Sequence, residues 1–237
     1  WPASRSAASR RRSPIGAGSH FWLPEATFAR YGRFAPCYRS GTSGMTPHVG
    51  VLALQGAFAA HQRMLEGLGA STIAVRQPKH LDGVDALVIP GGESTTMSKL
   101  AVSTGLFQPI SERLAAGMPA FGTCAGAIML ATHIADGRAD QRDFETLDID
   151  VRRNGYGRQI DSFATEIDVD GLDAPFHATF IRAPIIERTG DGVQVLAAVG
   201  DNAVFVRAGA VMATTFHPEL GADDRLHRLF LDAITSS

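Results

Sequence analysis

A thiolate to attack a carbonyl carbon, an imidazole to move the proton and a carboxylate to hold the imidazole are the parts of a covalent acyl-transfer site. This chain offers one set. Cys124 lies in Phe121-Gly-Thr-Cys-Ala-Gly126, with an apolar run before it, Gly122 and Gly126 beside it and helix-like spacing after it. A sharp strand-to-helix turn of that kind exposes a nucleophile, and the glycines permit the turn. The following helix brings its positive end toward the sulfur. A buried core thiol, the plainer reading, has no need of flanking glycines. His217-Pro-Glu219 follows another apolar run. Two residues apart in extended backbone, His217 and Glu219 would share one side of the chain, with Pro218 fixing the link. The plainer reading of His217 is a turn histidine bonded to water.

Pro90-Gly-Gly-Glu-Ser-Thr-Thr96 sits between a strand-like and a helix-like run. The N–H groups of Gly91 and Gly92, with that of Ala125, are candidate donors to a developing oxyanion. Ser94 or Thr95 also reads as a helix N-cap. The segment has neither dinucleotide-fingerprint spacing nor a Walker lysine, which argues against nucleotide binding. In Arg152-Arg-Asn-Gly-Tyr-Gly-Arg-Gln159, Arg153 is a candidate fork for a substrate carboxylate and Arg158 for a partner surface; a solvated loop is the alternative. Ile181-Arg182 offers another polar contact at a strand end. His61, His80, His133, His177 and His217 are too scattered for a metal site, and none is expected.

The elements that must position these groups read as alternating strands and helices. Strands are expected over 49–54, 71–75, 86–89 and 119–121, and helices over 58–67, 95–103, 107–116 and 126–133. The first helix carries Phe58, His61, Met64, Leu65 and Leu68 at helical spacing. The second half reads as strands over 147–152, 163–169, 177–180, 193–199, 203–206 and 211–215, with hairpin turns at Asp201-Asn202 and Ala208-Gly209. A closing helix over 225–234 turns Leu226, Leu229, Phe230 and Ile234 to one side. The architecture expected is α/β: a mostly parallel sheet flanked by helices in three layers, with added antiparallel strands.

With 237 residues, 45% hydrophobic and 19% charged, the chain is long enough for one α/β domain, expected over 45–237. A net charge of -2 gives no whole-chain case for nucleic acid, and no apolar run reaches membrane-spanning length. Cys37 and Cys124 cannot form a disulfide scaffold. A free thiol nucleophile suits a reducing compartment, so a cytoplasmic location is expected.

Residues 1–44 differ. They hold Arg5, Arg10, Arg11, Arg12, Arg30, Arg33 and Arg39 against the single acid Glu25, and lack sustained periodicity. The chain begins at Trp1, and Met45 stands just before the first strand, where a start methionine would sit. A disordered or non-native extension is the preferred expectation; an organelle transit peptide and a nucleic-acid-binding arm share the composition.

Val51-Leu-Ala-Leu-Gln-Gly56, the helix from Ala60-His61 to Leu65-Glu66, Pro90 to Thr96, Gly122-Thr-Cys-Ala-Gly126, Arg153-Asn154, Gly157-Arg-Gln159, Ser162-Phe163, Phe180-Ile-Arg182 and His217-Pro-Glu219 together resemble the glutaminase-subunit family of pyridoxal 5'-phosphate synthases. That family is of the triad class of glutamine amidotransferases. The likeness runs from Val49 to Ile234. It implies a flavodoxin-like, class I glutamine amidotransferase-like fold, with Cys124 as nucleophile, His217 as base and acid, and Glu219 as its orienting partner. It implies glutamine binding by Gly92, Glu93, Ser94, Arg153, Ile181 and Arg182. The family's ammonia passes to a TIM-barrel synthase subunit, in an assembly of twelve plus twelve, and its glutaminase needs no cofactor. The basic tail has no counterpart there. Three alternatives remain open: a triad glutaminase serving another synthase, a cysteine peptidase on the same fold, and a non-catalytic subunit with a redox-sensing cysteine.

Overall fold

The computed structural model describes residues 46–153 and 162–236. The arginine-rich segment 1–44, and Asn154 through Gln159 with Arg158 among them, lie outside the described residues. In chain order the elements are β1 (His48–Leu52), α1 (Phe58–Gly67), β2 (Ser71–Val75), β3 (Ala86–Ile89), α2 (Ser94–Ser103), α3 (Phe107–Ala115), β4 (Ala120–Thr123), α4 (Ala125–Leu130), β5 (Ala131–Ile134), β6 (Leu147–Arg152), β7 (Ser162–Ile167), β8 (Phe176–Ile181), β9 (Ile185–Thr189), β10 (Gln194–Val199), β11 (Asn202–Ala208), β12 (Val211–Thr214) and α5 (Arg225–Thr235).

A 10-stranded sheet runs in the order β2-β1-β3-β4-β12-β11-β9-β6-β5, with β10 paired to β11. From β2 through β12 every neighbouring pair is parallel. The inner strands β1, β3 and β4 are largely apolar because both of their faces are covered, whereas the edge strand β2 is part-exposed. All residues of β3 and β4 are buried. Successive side chains point to opposite faces, and the two cores divide accordingly. Leu87, Ile89 and Ala120 pack with Met97, Ile110 and Leu130 of α2, α3 and α4. Val49, Val51, Val88 and Phe121 pack with Leu65 of α1 and with Leu226 and Phe230 of α5. The result is the expected three-layer α/β fold.

The antiparallel strands both extend the sheet and stand beside it. β9, β10 and β11 join the main sheet, while β7 and β8 form a separate two-stranded sheet. The Phe163 and Phe180 rings stack across that pair at 4.5 Å, and Phe180 and Phe176 both meet Phe216. This aromatic contact fixes the hairpin against the segment that leads to His217.

Two local expectations need correction. The helix after Cys124 ends at Leu130, not His133, because Ala131–Ile134 forms β5 and pairs in parallel with β6. The strand β9 had no counterpart among the expected elements. Among the described residues no helix is long and apolar enough to cross a membrane.

Candidate active site

Three adjacent parallel strands end side by side, and each delivers one part of the site. Ile89 pairs with Gly122, and Thr123 pairs with Thr214. Beyond those residues lie Gly91-Gly92 after β3, Cys124 after β4 and His217 after β12. The carboxyl ends of parallel strands are where α/β sheets form ligand sites.

Cys124 occupies the strand-to-helix turn, with φ 50 and ψ -105. A non-glycine residue at positive φ is strained, by about 1–3 kcal/mol, and persists only when its surroundings enforce it. Here they do. The Cys124 N–H donates to the Thr214 carbonyl at 2.8 Å. A β-carbon on Gly126 would strike the Ile89 carbonyl, and one on Gly122 would stand 2.6 Å from the Gly126 carbonyl group. The sulfur lies 3.9 Å from the Ile181 carbonyl, and the residue is only 7% exposed. It is the free cysteine among the described residues.

His217 is anchored through its backbone and oriented through its ring. Its backbone N–H donates to the Thr179 carbonyl of β8 at 2.9 Å, and Pro218–Leu220 then forms a 3-10 turn. The turn, not an extended backbone, brings Glu219 Oε1 to 2.8 Å from His217 Nδ1. Burial alone would lower the His217 pKa. Hydrogen bonds to the Cys124 sulfur and to Glu219, together with their charges, outweigh burial and push it up to about 10. Burial likewise pushes the Glu219 carboxyl upward, but its bond to His217 and the imidazoles of His61 and His217 hold it below the usual carboxylate range. The arrangement suits an imidazolium between the Cys124 sulfur and a buried carboxylate.

Gly91 is buried against this pair, and its carbonyl lies against Gly56, whose φ is +80. A trans peptide then aims the Gly92 N–H away from Gly56. The Glu93 N–H donates to Gln55 Oε1 at 3.1 Å. Ala125 opens α4, so its N–H has no intrahelical acceptor. The Glu93 carboxylate is committed to α2: it accepts from the Thr95 and Thr96 N–H groups and from the Thr96 hydroxyl. It is Glu93, rather than Ser94 or Thr95, that caps this helix.

Beside the cap lies a polar cluster. Arg153 Nη1 donates to Thr95 Oγ1 at 2.8 Å and to Gln141 Oε1 at 3.2 Å, and its Nη2 donates to the Asp136 carbonyl. Its buried Nε has no hydrogen-bond partner among the described residues and lies 3.6 Å from Asp136 Oδ1 in an ion pair. Gln141 Nε2 donates to Ser94 Oγ at 3.2 Å. Thus Glu93, Ser94 and Arg153 are joined around the start of α2, Gly91 adjoins Cys124 and His217, and the exposed Ile181 and Arg182 stand at the end of β8, where the Ile181 carbonyl meets the Cys124 sulfur. Arg182 also holds positive φ, at 44. No group of three or more His, Cys, Asp or Glu suited to a metal ion occurs among the described residues.

Several contributors carry no signal in the sequence. Gln55 lies in the Val51–Gly56 stretch of the family resemblance but shows no role there, and Gln141 belongs to no motif. Buried His61 and His227 lie behind Glu219. Both sit at core positions of helices, where a histidine has the spacing of an apolar residue.

Comparisons with known proteins follow the same lines. Residues 51–236 match the model of the SNO glutamine amidotransferase family. A protein of Nocardioides sp. named pyridoxal 5'-phosphate synthase subunit PdxT is 60% identical over 194 residues, 80% of this chain and 96% of that one. The PdxT protein of Mycobacterium tuberculosis is 53% identical over 194 residues, 81% of this chain and 98% of that one. A crystal structure of a glutamine amidotransferase superposes with a TM-score of 0.75 at 49% identity, covering 79% of this chain and 98% of its own. A glutamine amidotransferase of Thermotoga maritima, at 15% identity and a TM-score of 0.53 over 81% of this chain and 86% of its own, shares the fold alone.

Proposed function

This chain belongs to the SNO glutamine amidotransferase family, and from that premise we propose that it is the glutaminase subunit of a pyridoxal 5'-phosphate synthase, freeing ammonia from L-glutamine through a thioester on Cys124. The observation that carries the reading is the strained Cys124 turn beside a His217 whose Nδ1 is 2.8 Å from Glu219.

In the proposed reaction the Cys124 thiolate attacks the side-chain amide carbon of glutamine, and negative charge moves to the amide oxygen. N–H groups from Gly91, Gly92 and Ala125 receive that charge. His217, as imidazolium, gives its Nε2 proton to the departing nitrogen, and the carbon–nitrogen bond breaks to leave the thioester and ammonia. Neutral His217 then takes a proton from water, whose oxygen attacks the thioester. Collapse releases glutamate and restores the thiolate–imidazolium pair. Glu219 holds the Nδ1 proton throughout and favours the charged ring.

Arg153 is proposed to grip the substrate α-carboxylate, exchanging one of its internal bonds for it. Gly92, Glu93 and Ser94 would line the glutamine on that side, with Ile181 and Arg182 on the other. Since the Glu93 carboxylate already accepts three hydrogen bonds, its further lone pairs or its backbone would meet the substrate. The partner proposed is a TIM-barrel synthase subunit, in a twelve-plus-twelve assembly. Ammonia is mostly ammonium at neutral pH and is then no nucleophile, so direct delivery to a docked partner avoids wasted glutamine. The cytoplasm, where a thiol stays reduced, fits this work.

The test is ammonia release from glutamine by the purified chain with and without a pyridoxal phosphate synthase subunit. Release that rises on adding the subunit supports the reading. Equal release would assign the triad to another amidotransferase, and no release in either case would overturn glutaminase activity. Cys124→Ala should abolish glutamine-dependent synthesis in the complex, by about 10⁴-fold or more, and leave ammonium-dependent synthesis intact.

A further inference from the structure

The carboxylate of Glu219 has two oxygens, and the triad uses one. Among the described residues, Oε2 is buried without a hydrogen-bond partner inside normal geometry. Its neighbour at 3.4 Å is Nε2 of His61, on α1. Thr123 Oγ1 stands 3.3 Å from the same nitrogen. On its far side, His61 Nδ1 is 2.8 Å from Nε2 of His227, on α5. Both histidines have 0% exposure, and Nδ1 of His227 has no hydrogen-bond partner among the described residues.

We propose that His61 is a positioning residue of the triad, its neutral Nε2–H facing the second oxygen of Glu219, and that His227 locks it in that tautomer. The proposal rests on the glutaminase reading above and extends it by two residues.

The hydrogen count selects the tautomers. If both rings carried their proton on Nδ1, the Nε2 lone pair of His61 would face a carboxylate oxygen, and His227 would bury an N–H with no acceptor. A buried unpaired donor forfeits its hydration with nothing in return, and orphaned N–H groups are rarer than under-used acceptors. With both protons on Nε2, His61 donates toward Glu219 and Thr123. His227 then donates to His61 Nδ1, and among the described residues one lone pair is left unmet on the two rings. Charging either ring is opposed by burial, which holds His61 down at about 4 and His227 at about 3. Glu219 and His217 both face His61, the first favouring its charge and the second opposing it. The Phe121 ring meets His227 edge-on at 5.7 Å and closes the far wall.

A carboxylate held at one oxygen alone swings readily about its last torsion, which is broad. A second donor at Oε2 fixes its plane, and with it the direction of His217. Loss of that donor therefore acts on the chemical step more than on glutamine binding.

The experiment compares His61→Leu and His61→Gln in the full chain with its synthase subunit. Two readouts are taken: kcat and KM for glutamine, and the rate of Cys124 alkylation by iodoacetamide without glutamine. Each variant's melting temperature confirms folding. The leucine variant should lose about tenfold to hundredfold in kcat, the scale of a misplaced catalytic group, with KM changed less than about twofold. Its alkylation should slow in parallel. The glutamine variant, which keeps an N–H donor, should recover most of both. Should the leucine variant not fold, His227→Leu takes its place, with the same direction expected and a smaller loss. A folded leucine variant with wild-type kcat and alkylation overturns the proposal, as does a glutamine variant no better than leucine. If wild-type protein turns over no glutamine, the functional reading falls while the alkylation contrast still judges His61.

Discussion

Gly91 lies so close against the His217 ring that a β-carbon on it would collide with Cε1 and stand 3.0 Å from Nδ1. The same carbon would be 3.4 Å from Cβ of Cys124. The glycine is thus a steric requirement of the pair, apart from any role of its N–H. Gly91→Ala should leave the fold intact and push the imidazole aside, lowering glutamine turnover by roughly 100-fold. Turnover within about threefold of wild type, with unchanged melting temperature, would show that the ring has room to yield.

His217 should be an imidazolium through neutral pH. Its pKa is opposed by burial and raised to about 10 by Cys124 and Glu219. A folded value above the unfolded value of about 6.5 gives stabilisation that is complete below about pH 6.5 and is lost as pH rises through about 10. Nitrogen-15 NMR of the histidine rings should find His217 doubly protonated at about pH 8, and in Cys124→Ala its titration should move to lower pH. A wild-type ring titrating near 6.5 would contradict the ion pair.

The two histidines behind Glu219 work in the opposite direction. Burial is the leading cause in both, and their pKa values fall to about 4 for His61 and about 3 for His227. The unfolded chain takes up protons near 6.5 and the folded chain does not. Their contribution is present above about 6.5 and disappears as pH falls toward those values. Glu219, held below its usual range, adds its own loss only at lower pH. The urea midpoint should therefore drop between about pH 6 and 4.5, and His227→Leu should flatten that drop. A midpoint indifferent to pH in this window would mean that the rings are not buried neutral.

Glu93 should matter to α2 before it matters to any substrate. Its carboxyl is driven up by burial, but the Thr96 and Thr95 donors prevail and hold it down at about 2. Loss of an N-cap costs about 1 kcal/mol. Glu93→Ala should reduce unfolding free energy by that amount in the absence of glutamine. No change in the urea midpoint would leave the carboxylate to a ligand.

The parts of the fold that could be read from sequence were those with one dominant signal. β2, β3 and β6 kept the expected limits because buried parallel or half-buried strands are short apolar or alternating runs with clear stops. The run through Ile128, Met129, Leu130 and Ala131 gave no stop, since an apolar stretch serves helix and strand alike; pairing with β6 decides where α4 ends. β9 hides behind Pro184 and the exposed pair Glu187 and Arg188, which face solvent and bond to Arg152 and to Asp148 and Asp150 on neighbouring β6. In the site, Cys124, His217 and Glu219 were legible through glycines, proline and spacing. The roles of Gln55, Gln141, His61 and His227 were not, because each reaches the site from a distant element, and the motifs that hold Gln55 and His61 give them no part in the chemistry.

The register that sets Thr123 of β4 against Thr214 of β12 also orders events in time. The cysteine proposed as nucleophile is synthesised long before the histidine proposed as its base, and the strand that leads to that histidine must insert between β4 and β11 to complete the sheet. Contacts of such sequence separation form slowly because loop closure precedes their reward. A chain emerging from the ribosome thus holds a cysteine with neither its imidazole nor its elbow enforced by the Thr214 carbonyl. Under the proposed function, hydrolysis of glutamine would begin only when the carboxyl-terminal half has folded, so the topology itself would withhold activity from unfinished protein.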